Sequence, residues 1–202
     1  MTALEAIHAR RAVKRFDPEH RMPEADVRQL MEAAMQAPTA FNIQHWRFVL
    51  VTDPDERKRI RSAAWEQGQT TDASLLVVLC AKLTAWKDAP RYWRNAPPPV
   101  REFLLPAIQQ YYEGNDQAQR DECMRSCGLA GMALMLAAKD MGYDSCPMDG
   151  FDFDAVGQVI NLPKDHLIAF MIAIGKGIQP PWPKPGQLSY DEVVIQNTFA
   201  PS

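Results

Sequence analysis

Two uninterrupted apolar runs, Leu75 to Ala81 and Leu167 to Ile174, constrain this chain most. Both are short for helices and rich in aliphatic residues, so both read as strands buried on their two faces. Between them, residues from about 117 to 141 have the length of a long helix, closed by Gly142. Its middle carries Ser126, Gly128, Ala130, Gly131 and Ala133, which permit close backbone approach. That predicts a buried central helix, packed within the core or at a subunit contact. Strands and helices do not alternate as in a doubly wound fold, and neither GxGxxG nor GxxxxGK[ST] occurs. The order predicts an α+β fold, a small sheet wrapped by helices, in a single domain over 1–202.

Local signals fill in the rest. Thr2 and Glu5 form a capping box that starts a helix over about 3–10. Pro23 opens a second helix with Val27, Leu30, Met31, Ala34 and Met35 on one face. Arg47 to Val51 reads as a strand, and Asp53 caps a third helix that ends near Gly68. Residues 84–116 are the least regular, with Val100 to Tyr112 able to form a helix. Asp152 caps a short helix to about Ile160. The proline-rich segment from Gln179 to Pro185 excludes regular structure and predicts an extended arm. Ser189 and Glu192 then cap a last short helix.

Composition excludes several function classes. With 47% apolar residues the chain has ample core, and a net charge of -3 gives no global field for nucleic acid or an acidic membrane. The longest apolar run, Cys127 to Ala138, is too short to span a bilayer and is followed by Lys139 and Asp140. Met1 leads straight into a charged helix rather than a secretory leader. Cys80, Cys123, Cys127 and Cys146 lack zinc-type spacing, so no metal is expected, and a reducing cytoplasm is the simplest home.

Against that background one cluster stands out. Arg10, Arg11, Lys14 and Arg15 place four cations in six residues directly after the first helix. Asn42 and Gln44 place two amides two residues apart in a turn leading into a strand. Cations suit a phosphate and spaced amides suit the edge of a heterocycle; a phosphorylated heterocyclic cofactor needs both. Read singly, the cations also fit a solvated basic loop, and Asn42 fits a turn that caps itself. No acid–base catalyst emerges: GxSxG is absent and the histidines lie in unrelated settings.

Taken together, these stretches resemble the nitroreductase family. RRAVKRF at 10–16 is similar to the family's RRSxRxF, and PTAFNIQHWRF at 38–48 to its PSxxNxQPWxF, matching at Pro38, Asn42, Gln44, Trp46 and Phe48. Cys146 to Asp152 resembles its flavin-facing P-x-x-G-F turn, and Pro183 to Val194 its closing phosphate contact. The resemblance implies a nitroreductase-like fold with a mostly antiparallel sheet and a C-terminal arm exchanged in a homodimer. It implies FMN as cofactor and NADH or NADPH as electron donor, with no catalytic side chain because the flavin carries the chemistry.

The resemblance also distributes roles. Arg10, with Arg11 beside it, and Lys184 from the tail would meet the phosphate. Ala12 stands where the family has Ser and offers only its N–H. Gln187 stands near the usual tail arginine, in place of an ion pair. Lys14 would meet the N1–C2 edge of the ring, and Gln67 and Gln69 the pyrimidine edge. Pro38, Thr39, Ala40, Asn42 and Gln44 would serve from the partner subunit. Pro147, Met148, Asp149 and Gly150 would pass over the ring, with an N–H of Asp149 or Gly150 donating to N5. Tyr111, Tyr112 and Trp93 are candidate substrate-facing aromatics, although packing suits each as well. The implied reaction is ping-pong reduction of nitroaromatics, quinones or other electron-poor small molecules; a flavin carrier or redox sensor is the alternative.

Overall fold

The computed structural model describes residues 1–199. Its strands are β1 (Trp46–Val51), β2 (Leu75–Lys82), β3 (Asp144–Met148) and β4 (His166–Gly175), all antiparallel in the order β1-β2-β4-β3. The two apolar runs are the two central strands. Their alternation explains the absence of polar residues. Leu76, Val78 and Cys80 of β2 face one core cluster, while Leu75, Val77, Leu79 and Ala81 face the opposite layer. In β4, Met171 and Ala173 face the first cluster and Ile172 and Ile174 the second. Both faces are covered, so Leu75 to Ala81 and Met171 to Gly175 are all buried, and partial exposure is confined to Lys82, His166, Leu167 and Phe170.

The first face is closed by α3 (Pro54–Ala63) and α8 (Phe153–Val159), through Ile60, Val156 and Val159. The second is closed by α2 (Glu24–Ala34) and the long α7 (Asp116–Asp140). Cys123, Cys127, Ala130, Leu134 and Ala138 lie at helical spacing on the buried side of α7. Gly131 sits beneath Phe170, where an added Cβ would fall 2.4 Å from the ring, so only glycine lets α7 lie so close to β4. Gly128 faces outward, and the helix closes at Gly142, whose φ is +78°. Both terminal capping boxes form, at Thr2 for α1 (Ala3–Ala9) and at Ser189 for a short helix over Tyr190–Val193.

Two expectations need correction. The third helix stops at Ala63 rather than near Gly68, because Trp65 and Glu66 take left-handed backbone at φ 52° and 58°. A separate short helix, α4 (Gln69–Asp72), follows, and α5 (Ala89–Tyr92) precedes the helix over Pro98–Tyr112. Pro147 and Met148 belong to strand β3 rather than to a turn; a proline is tolerated there because β3 is an edge strand. Outside β3, Ala12 bridges Ser145, and Phe16 bridges Gly177. Among the described residues no helix is long and apolar enough to cross a membrane.

Candidate functional site

The basic segment after α1 becomes one wall of a cleft. The backbone turns extended at Arg10, and Val13 N–H donates to Ser145 O at 3.0 Å, docking the segment beside β3. Val13 and Phe16 are buried in the core below, which leaves Ala12, Lys14 and Arg15 exposed. Residues 179–185 of the arm form the facing wall, and Arg61, Glu66, Gly68, Gln69 and Asp72 the floor. The cleft holds about 790 Å³, within the roughly 300–1,000 Å³ of small-molecule and cofactor sites. Arg10, Arg11, Lys14, Arg15, Arg61 and Lys184 face only Glu66 and Asp72, so an acidic protein carries a locally cationic cleft.

Each cation has a distinct situation. Arg10 Nε is buried without a protein partner. Arg11 donates from Nη2 to the Trp182 carbonyl, which ties the arm to the first wall. Lys14 Nζ lies 5.0 Å from the centre of the Trp182 ring. Its charge also works against the burial that pushes the Cys146 thiol up. Lys184 Nζ reaches Gln187 Oε1 at 3.5 Å; Lys184 lines the cleft and Gln187 does not. Arg61, in the last turn of α3, was not expected here; it lines the cleft and pairs at 3.2 Å with Glu66, in the left-handed turn at 65–66 that follows the helix.

The two amides expected at a ring edge separate. Gln69 is buried on the cleft floor, and its Nε2 donates to Gln67 Oε1 at 3.0 Å. Gln67 Nε2 in turn donates to the Gly150 carbonyl at 2.8 Å, so Gln67 braces the end of β3 instead of lining the cleft. Gly150 lies under the Trp65 ring, where a Cβ would come within 2.9 Å. Pro147 and Asp149 are exposed beyond it, and Met148 is buried.

The loop before β1 lies elsewhere. Phe41, Asn42 and Gln44 take φ of 52°, 55° and 54°, an unusual run for residues with side chains. Gln44 N–H donates to Thr39 Oγ1 at 3.0 Å, and Gln44 Nε2 to Asn42 O at 3.4 Å. Pro38 and Ala40 complete the turn, and Asn42 is exposed. The sheet order puts this loop at the β1 edge, whereas the cleft lies at the β3 edge. Three strand spacings of about 4.8 Å, roughly 14 Å, separate the two edges.

The middle region braces that loop. Trp93 Nε1 donates to Phe41 O at 2.8 Å, and Tyr112 is fully buried, stacked at 8° on Trp86. A substrate-facing ring at Tyr112 is thereby corrected: apolar packing of α6 (Pro98–Tyr112) turns it inward. Tyr111 is 41% exposed and donates to Glu122 Oε1 at 3.1 Å, outside the cleft.

His45 anchors the same loop from inside. Its Nδ1 lies 3.0 Å from Ser126 Oγ, and its Nε2 is buried without a partner. Burial, then the Arg47 charge, pushes its titration down to about 4 from 6.5. As pH falls from 6.5 to 4 the unfolded chain therefore takes up a proton that the folded one refuses. Stability drops across that window by up to roughly 3 kcal/mol. Denaturant titrations from pH 7 to 4.5 will show a steeper loss in the native protein than in His45→Gln; equal slopes would refute it. The four cysteines are buried, and burial pushes Cys80 and Cys123 up to about 12, so none is poised as a nucleophile.

Residues 7–176 match the model of the nitroreductase family. Protein DrgA of Synechocystis sp. is 54% identical over 177 residues, covering 87% of this chain and 84% of that protein. MhqN of Bacillus subtilis, provisionally named an NAD(P)H nitroreductase, is 29% identical over 84% of this chain and 86% of its own length. A provisionally named nitroreductase from Exiguobacterium sibiricum, solved in complex with FMN, superposes with a TM-score of 0.89 at 25% identity, covering 96% of this chain and 97% of that one.

Proposed function

The chain belongs to the nitroreductase family, and from that premise we propose an FMN-dependent oxidoreductase, working as a homodimer, that draws electrons from NADH or NADPH. One observation carries the cofactor assignment. Arg10 Nε is buried without a partner in a cleft where six cations face two carboxylates. A buried donor left unpaired is costly, and a phosphate oxygen satisfies it.

The residues present fit the cofactor. Arg10 and Lys184 would hold its phosphate with the N–H of Ala12, and Arg11 would hold the arm that closes over it. Gln69 would take the pyrimidine edge and Lys14 the N1–C2 edge, where a fixed ammonium favours the reduced, more negative ring. An N–H of Asp149 or Gly150 would reach N5, with Gln67 fixing that peptide. Bound there, FMN would supply the hydride-accepting and electron-passing chemistry that the side chains lack. In this reading the chain's own residues position the cofactor and stabilise charge, and no side chain is assigned as the substrate's proton donor. Donor and acceptor take one place in turn, a ping-pong scheme, and the acceptors are nitroaromatics, quinones or other electron-poor small molecules.

The same geometry supports the homodimer. Asn42 and Gln44, with Pro38 to Ala40, stand at the sheet edge opposite the cleft, which suits residues that serve the cofactor of a partner subunit. Met124, Leu129 and Met132 form an exposed apolar stripe on α7, and the arm exposes Leu188, Tyr190, Val193, Ile195 and Phe199. A second copy is the natural cover for both. The test is the visible spectrum of the purified protein before and after anaerobic NADH or NADPH. A flavin spectrum that bleaches supports the enzyme. A flavin that stays oxidised supports a carrier instead, and a protein that takes up no added FMN refutes the assignment.

A further inference from the structure

We propose that Trp182 is a positioning residue: its indole face holds the Lys14 ammonium in the cleft, and Arg11 tethers the ring there. The functional half of this rests on the FMN reading above; the contact itself does not. Three observations carry it. Lys14 Nζ lies 5.0 Å from the ring centre. The Trp182 carbonyl accepts from the Arg11 guanidinium, so the backbone under the ring is fixed from the same wall that carries Lys14. Finally, Trp182 stands 77% exposed between Pro181 and Pro183, whose fixed φ stiffens the backbone that carries the ring. A ring this exposed gains little from burial, so its placement is explained by what it touches.

An aromatic face does something here that a carboxylate cannot. Lys58, Lys82 and Lys139 are each neutralised by an aspartate at 2.8–3.0 Å. Lys14 instead rests on a neutral quadrupole, which attracts the cation without cancelling its charge. The ammonium keeps its field for whatever negative charge develops in the cleft. The ring also restricts a flexible side chain, so less ordering is left for ligand binding. This is the combination required of a lysine that must act on a reduced ring edge rather than merely decorate the surface.

The test has a flavin-free arm and a flavin arm. In the flavin-free protein, acetic anhydride labelling of Lys14 is followed by mass spectrometry. To react, the amine must leave the ring face, so Trp182→Ala will raise the Lys14 labelling rate about two- to five-fold while Trp182→Phe stays near the native rate. An unchanged rate in Trp182→Ala overturns the contact. With FMN bound, Trp182→Ala will lower the flavin midpoint potential, and the same substitution in a Lys14→Ala background will have no further effect. A faster label with an unmoved potential overturns the positioning role, as does an equal potential shift without Lys14. If the native protein takes up no FMN, the cofactor reading and the positioning role fall together, and the labelling arm still decides the contact.

Discussion

Arg10→Ala will raise the FMN dissociation constant by about 10- to 100-fold, the range set by losing one buried hydrogen bond to a charged group. The purified variant will emerge largely colourless, and a fluorescence titration with added FMN will read the weakened affinity. The physical reason is specific to Arg10. Arg11 is engaged with the Trp182 carbonyl, and Arg61 with Glu66 and Thr71, whereas Arg10 presents a buried Nε that no protein group satisfies. Arg10→Lys keeps the charge but loses the forked geometry, so it will recover only part of the affinity. Native FMN retention in Arg10→Ala would remove Arg10 from the phosphate site.

Leu134→Ala will destabilise the fold by about 2–5 kcal/mol, the cost of a large-to-small change in a core that cannot fully collapse. Leu134 has no exposed surface and packs with Leu30, Val77 and Ile172, so one deletion opens the junction of α2, α7 and both central strands. Thermal denaturation should show a midpoint lower by roughly 4–20 °C, at about 2–4 °C per kcal/mol for a chain of this size. Leu129→Ala, on the exposed side of the same helix, is the control and will change monomer stability little. A Leu134→Ala midpoint within a degree or two of the native one would mean that α7 does not organise the core.

How much of this was legible in the sequence differs between layers. The central strands and the buried stripe of α7 were readable because periodicity is a direct record of which faces are covered. The caps at Thr2, Asp53, Asp152 and Ser189 were readable because a side chain two or three residues away satisfies the orphan N–H. The end of α3 was not. Nothing at Trp65 or Glu66 announces left-handed backbone, which glycine or asparagine would have signalled. Tyr112 and Gln67 were misplaced for a related reason. An aromatic at a helix end or an amide in a turn has the same local signature whether it faces a ligand or braces a neighbour, and only the contacts with Trp86 and Gly150 decide between the two.

By itself, then, the sequence determined the α+β class, the two-faced central strands, the long small-residue helix and the cationic segment at 10–15. All are local or periodic properties of the chain. The tertiary structure alone decided the rest. It folded the arm at 179–185 against residues 10–15, turned Arg61 and Gln69 into the same cleft, and set the loop at 38–44 at the opposite edge of the sheet. These are contacts between segments distant in sequence, and they depend on strand order and on which edge each loop emerges from. No residue pattern within a single segment encodes that order.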